Sequence, residues 1–332
     1  MVLKRNKNMN TAAELLADKI SSGFSMEGTD WIPEGATEPA VIEEVAEAEI
    51  APDETLKEQL FSMFRHNKLA LVSAIIILLY ILLTVFAPLI APCDPFAQDL
   101  YNQASNPTDG HLLGTDSLGR DVFTRMLYGG RVSLMIGLLP TTISMILGTV
   151  LGLIAGFIGG VIDSIIMRIA DVLMAFPSLL LAMLVSYTLG NGMLTIFIAL
   201  SFVGWAGTAR VVRSEVLSLR EKEYVEAATS IGVKRSTIMF RHILPNCVPT
   251  LVVLFTMNVP GNILTEASLS FLGIGAQPPS TSWGLLVFEM KKFLTQAPVP
   301  TLAPGIAILI LVVAFNFLGD ALRDKLDPSL KD

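Results

Sequence analysis

The sequence predicts an all-α membrane protein with six transmembrane helices, and three observations carry that reading. Of its 332 residues, 52% are hydrophobic and 16% charged, against about 25% charged in soluble domains. Much of the surface therefore faces something other than water. Six uncharged stretches, 69–90, 132–158, 172–189, 193–209, 247–265 and 302–319, approach or exceed the roughly 20 helical residues that cross about 30 Å of hydrocarbon. Lys and Arg also concentrate in alternate connections, as they do on the cytoplasmic side of membrane proteins.

Residues 1–60 come first. The formal charge of −7 belongs to them, since 1–59 hold 13 Asp/Glu against 5 Lys/Arg. Such a segment buries too little apolar surface to offset its ordering entropy, so an acidic, disordered cytoplasmic tail is expected, with no cleaved signal peptide. Residues 61–131 comprise the first transmembrane helix and an outer loop. Residues 132–332 comprise a five-helix core with a long cytoplasmic loop at 210–246.

Charge placement orients these elements. Lys57, Arg65 and Lys68 precede the first span, seven bases lie between Arg210 and Arg241, and Arg323, Lys325 and Lys331 follow the last span. The outer loops hold Arg120, Arg125, Arg131, Lys291 and Lys292. Both termini are therefore expected in the cytoplasm. Within the spans, Gly148, Gly152 and Gly156 recur every four residues, a pattern that lets helix backbones approach closely. Arg168 and Asp171 stand three apart near the start of the third span and are expected to neutralise each other. Glu266, near the outer end of the fifth span, is a candidate substrate contact or inter-helix hydrogen-bonding group, with Asn258 and Asn262 on the same helix. Cys93 and Cys247 fall at span mouths on opposite faces. With His66, His111 and His242 they show no metal-ligand spacing, so no metal site is expected.

The most informative stretch is Glu223-Tyr-Val-Glu-Ala-Ala-Thr-Ser-Ile-Gly232, ending in His242-Ile-Leu-Pro-Asn246. Residues 215–230 read as a helix packing through Val216, Leu219, Val225 and Ala228. Gly232 is placed to take the left-handed conformation that closes a helix. Residues 234–241 read as a second short helix stopped by Pro245. Small Ala227 and Ala228 let another surface come close, Glu226 offers a carboxylate, and Lys234 and Arg235 supply charge.

This loop resembles the Glu-Ala-Ala motif of ABC importer permeases, with Glu223, Tyr224, Glu226, Ala227, Ala228, Gly232, Lys234, Arg235, Leu244 and Pro245 as the ATPase-coupling residues that the resemblance implies. His242 stands where the general motif prefers Ile, a form common in the peptide branch. His111-Leu-Leu-Gly-Thr-Asp-Ser-Leu-Gly-Arg-Asp-Val-Phe-Thr-Arg125 is similar to the outer segment of oligopeptide, dipeptide and nickel permeases, and Glu266-Ala-Ser-Leu-Ser-Phe-Leu-Gly-Ile-Gly275 to their C-type subunit. In the outer segment, Asp116 or Ser117 is expected to cap a short helix, and the segment itself to plug the rim rather than dock a partner.

The resemblance covers about residues 60–332. It implies a type I importer fold of the MetI-like kind with a cytoplasmic coupling helix. Also implied are a homologous permease subunit in a heterodimer, two ATPase subunits and an extracytoplasmic peptide-binding protein. Cargo would be oligopeptides or dipeptides, with nickel or antimicrobial peptides as alternatives. No G-x-x-x-x-G-K-[ST] phosphate loop occurs, so ATP and Mg are expected to act on the partners, with no cofactor and no nucleic acid on this chain and no enzymatic activity of its own. The bacterial inner membrane is the expected location. An intramembrane hydrolase lacks its paired catalytic groups, and a secondary transporter would have no need of the Glu-Ala-Ala loop.

Overall fold

The computed structural model describes residues 62–65, 67–190 and 192–326, so the acidic tail expected at 1–60 lies outside the described residues. Apart from two isolated β-bridges, Thr108–His111 and Thr115–Asp121, regular structure among the described residues is helical. The helices are α1 (Lys68–Val85), α2 (Ala87–Ile90), α3 (Val122–Ile158), α4 (Gly160–Met174), α5 (Ser178–Leu189), α6 (Met193–Arg220), α7 (Glu223–Ser230), α8 (Arg235–Thr237), α9 (Leu244–Phe271), α10 (Trp283–Met290) and α11 (Pro298–Leu326).

Five helices are long and apolar enough to cross a membrane, or six if α4 and α5 together form one span. That pair is bent by 91°, where the sequence predicts one continuous span over 172–189. The cause is Pro177, which lacks an N–H and bars its predecessor from helical geometry. The two pieces nevertheless run the length of α6. Arg213 near the end of α6 donates to Asp163 on α4. Ala170 packs with Trp205, Ala206 and Ala209, and Ala182 on α5 packs with Ile196 and Ala199 near the start of α6.

The tightest helix pair is α3 with α6, and the three glycines explain it. A Cβ on Gly148 would lie 2.7 Å from the Trp205 carbonyl oxygen, one on Gly152 2.6 Å from that of Ala209, and one on Gly156 2.8 Å from Val216 Cβ. The small-residue stripe is thus used inside this chain. Between α3 and α4 the backbone reverses through Gly159 and Gly160, at φ of 72° and 61°, a conformation that side chains other than glycine's resist.

Two buried clusters gather helix ends at one level. One joins Leu153 of α3, Val212 and Val216 of α6, and Ile243 and Cys247 around the start of α9. The other joins Ala70 of α1 with Ala321, Leu322 and Leu326 of α11, against Val252 and Val253 of α9. At the other ends of these helices lie the segments 91–121 and 272–297.

Several helices outrun their apolar stretches. Helix α3, which carries the second span, begins at Val122, capped by Asp121, whose carboxylate accepts from the Thr124 N–H. Neither expected cap, Asp116 or Ser117, fills that place, and Asp116 instead accepts from Arg120. Nor does Pro245 stop a helix. The chain passes from α8 through a wide π turn, Ile238–Ile243, directly into α9. A proline ring needs space at the preceding turn, and a π turn supplies it without ending the helix.

Candidate functional site

The residues singled out between α6 and α9 form one projecting surface. The helix expected over 215–230 is interrupted, since α6 ends at Arg220 and α7 starts at Glu223. Helix α7 lacks a side-chain cap, but Glu223 and Glu226 stand in its first turn, where negative charge meets the positive end of the helix dipole. Val225 and Ala228, 1% and 8% exposed, pin α7 to Ile238, Met239 and Cys247 below it. Gly232, at φ of 79°, closes the helix as expected. Its N–H donates to the Thr229 carbonyl and that of Val233 to the Ala228 carbonyl, each at 3.1 Å, the paired bonds of a Schellman cap.

That anchoring decides which predicted residues face outward. Glu223, Tyr224, Glu226, Ala227, Gly232, Lys234, Arg235 and Pro245 are exposed. Ala228 points inward, and Leu244 packs partly against the cluster beneath α7. Tyr224 accepts a long hydrogen bond from Asn246 Nδ2 at 3.5 Å, linking α7 to α9. Ile231 was not singled out from the sequence, yet it is 80% exposed. Its signal was a large apolar side chain just before the helix-closing glycine.

The intramembrane candidates separate. Arg168 does not pair with Asp171; Arg210 on α6 takes Asp171 instead. Arg168 forms no ion pair among the described residues and stands exposed on α4. The helix-spacing argument failed because a partner on another helix was invisible in a local pattern. Glu266 is 0% exposed. One of its oxygens accepts from Ser270 at 2.6 Å and from Ser282, the cap of α10, at 2.7 Å. In this conformation it ties α9 to the segment 272–297 and does not line an open path. Asn262 donates to Thr141 of α3 at 2.7 Å. Asn258 is exposed, and with Gly261, Thr265 and Ser268 it forms a polar stripe at helical spacing along α9.

The segment 91–121 is clamped to α10 by a buried ionic network. Arg120 donates to Asp116 at 2.7 Å and to Glu289 of α10 at 3.0 Å. Arg125, 1% exposed, pairs with Asp116 and with Glu289, the latter at 2.7 Å. Two cations facing two carboxylates leave no net charge, the condition under which buried ions are tolerated. Beside this network Cys93, His111 and Asp121 converge, their ligand atoms all within 4.8 Å of one another. Sequence spacing missed them because eighteen and ten residues separate successive members. Burial and the Asp121 charge push the Cys93 thiol above its ordinary range.

Comparison with known proteins decides the family. Residues 148–332 match the family described as binding-protein-dependent transport system inner membrane component. The chain belongs to that family. Residues 56–107 match the N-terminal transmembrane domain of oligopeptide transport permease C. The permease is 41% identical over 268 residues to the oligopeptide transport system permease protein OppC of Bacillus subtilis, covering 81% of this chain and 88% of that relative. Against the dipeptide transport system permease protein DppC of Alkalihalophilus pseudofirmus, identity is 43% over 271 residues, covering 82% and 89%. Against the glutathione transport system permease protein GsiD of Escherichia coli it is 42% over 285 residues, covering 85% and 94%. It is thus an all-α, multi-pass inner-membrane permease of the ABC importer type, one subunit of a larger transporter complex.

Proposed function

We propose that this permease takes up oligopeptides or dipeptides handed over by an extracytoplasmic binding protein, and that α7 and its closing turn receive an ATPase subunit. The three relatives are named for oligopeptide, dipeptide and glutathione transport, all short peptides. The observation that carries the coupling assignment is the surface of Glu223, Tyr224, Glu226, Ala227 and Ile231, exposed above a buried anchor at Val225 and Ala228. A rigid, pinned helix transmits a push to the ends of α3, α6 and α9, which meet in the same cluster. ATP and Mg act on two partner ATPase subunits, and their closure moves the bundle between inward-open and outward-open states. A homologous second permease completes the pathway, with the polar stripe of Asn258, Gly261, Thr265 and Ser268 facing it.

This reading places both termini and the 221–234 turn in the cytoplasm, and 91–121 and 272–297 outside. The contacts of α4 and α5 along α6 support counting the bent pair as one crossing, which makes six. An even number returns the chain to its starting side. After replacement of Cys93 and Cys247, cysteines placed at Ser230 and Ser280, both exposed, report the sidedness. A membrane-impermeant thiol reagent applied to intact spheroplasts labels position 280 and spares 230; labelling at 230 overturns the assignment.

A further inference from the structure

We propose that Cys93, His111 and Asp121 form a binding site for a divalent transition-metal ion of the zinc class on the outer segment of the permease. The three side chains supply a thiolate, an imidazole and a carboxylate, the donor set that zinc and its neighbours accept, and three protein ligands leave a fourth position for water. Their ligand atoms already lie within 4.8 Å of one another. A tetrahedral zinc site, with bonds of about 2.0–2.3 Å, needs such atoms about 3.3–3.6 Å apart. Closure by about an ångström is a side-chain adjustment.

The framework holds two of the three in place independently of any ion. Asp121 is 2% exposed, with one carboxylate oxygen fixed by the Thr124 N–H at 2.7 Å and the other 3.0 Å from His111 Nδ1. His111 sits in a two-way backbone bridge with Thr108, at 2.9 and 3.1 Å. The ion takes the imidazole nitrogen that faces this carboxylate, so binding exchanges the Nδ1–Oδ1 contact for one bond from each group to the metal. Cys93, half-buried and unpaired, lies just beyond α2 and closes the set. An ion there would cross-link the end of α2 to the loop at 108–111 and to the cap of α3. Binding converts the thiol to a thiolate and releases its proton to solvent.

The test uses the full-length chain in detergent. The other cysteine, Cys247, is fully buried, so thiol alkylation and sulfur-to-metal charge transfer both report on Cys93. Titration with Co2+ should produce a thiolate-to-cobalt absorption band saturating at one equivalent, and Zn2+ should abolish it. Zn2+ should also slow maleimide alkylation of Cys93 by about tenfold or more. Cys93→Ser should lose the band. Asp121→Asn keeps a competent helix cap and should weaken Co2+ binding by about tenfold or more, since loss of even an outer-shell partner costs that much. An absent band, a band that survives Cys93→Ser, or an alkylation rate unmoved by Zn2+ in the unmodified protein overturns the proposal. The last measurement needs no variant and so stands even if a substitution impairs folding.

Discussion

Ile231 carries an apolar side chain 80% exposed beside Glu226, Lys234 and Arg235, where hydration of the charged groups would ordinarily favour a polar neighbour. Seated in a socket on a partner, such a residue becomes a binding anchor, and anchors of this kind are worth about 2 kcal/mol or more. Ile231→Asp should therefore weaken ATPase-subunit binding by about 30-fold or more, measured by titration in detergent. Membrane insertion should be unaffected, because the side chain is mostly exposed. Glu226→Lys reverses the charge on the same exposed face and should abolish substrate-stimulated ATP hydrolysis. Gly232 was legible from sequence because a helix needing a left-handed closure leaves a glycine behind. Asp171 was misjudged for the converse reason. Its true partner, Arg210, lies 39 positions away, and no local spacing rule reaches that far.

At the scale of elements, apolar runs located the spans but not their ends, since helices continue into the interface once polar side chains can reach water. Pro177 and Pro245 show how the same residue gives opposite results. The first breaks the third span into α4 and α5; the second is absorbed by a π turn and leaves α8 joined to α9. Composition could not tell these apart, because the outcome depends on how neighbouring helices satisfy the freed backbone. The glycine stripe on α3 was legible as close packing, and its partner emerged only in the fold. Gly152→Val should cost about 1–3 kcal/mol through overpacking, read as a lowered thermal midpoint in detergent. Gly207→Ala has open space around its new methyl group and should be close to neutral. In the segment 91–121, Asp116→Ala leaves Arg120 and Arg125 short of a counter-charge and should cost about 3–5 kcal/mol. Protease sensitivity of 91–121 should rise accordingly.

For the whole molecule, the family and the membrane class could be read from the residues because the Glu-Ala-Ala motif and the hydrophobic spans are both contiguous in sequence. The cluster of Cys93, His111 and Asp121, the buried network at Arg125, and the seat of Glu266 were not legible, because each assembles residues from separate elements. One spatial arrangement is central: the surface of α7 meets an ATPase subunit while 91–121 faces the opposite side of the membrane. Ala227 is the right reporter, since it is exposed where Ala228 is turned inward, and Leu112, 65% exposed, reports on the other side. A photo-reactive amino acid at each position in the assembled transporter, irradiated in intact membranes, tests the claim directly. Position 227 should capture an ATPase subunit and position 112 should not. Failure of 227 to capture one, or capture from 112, would contradict that arrangement.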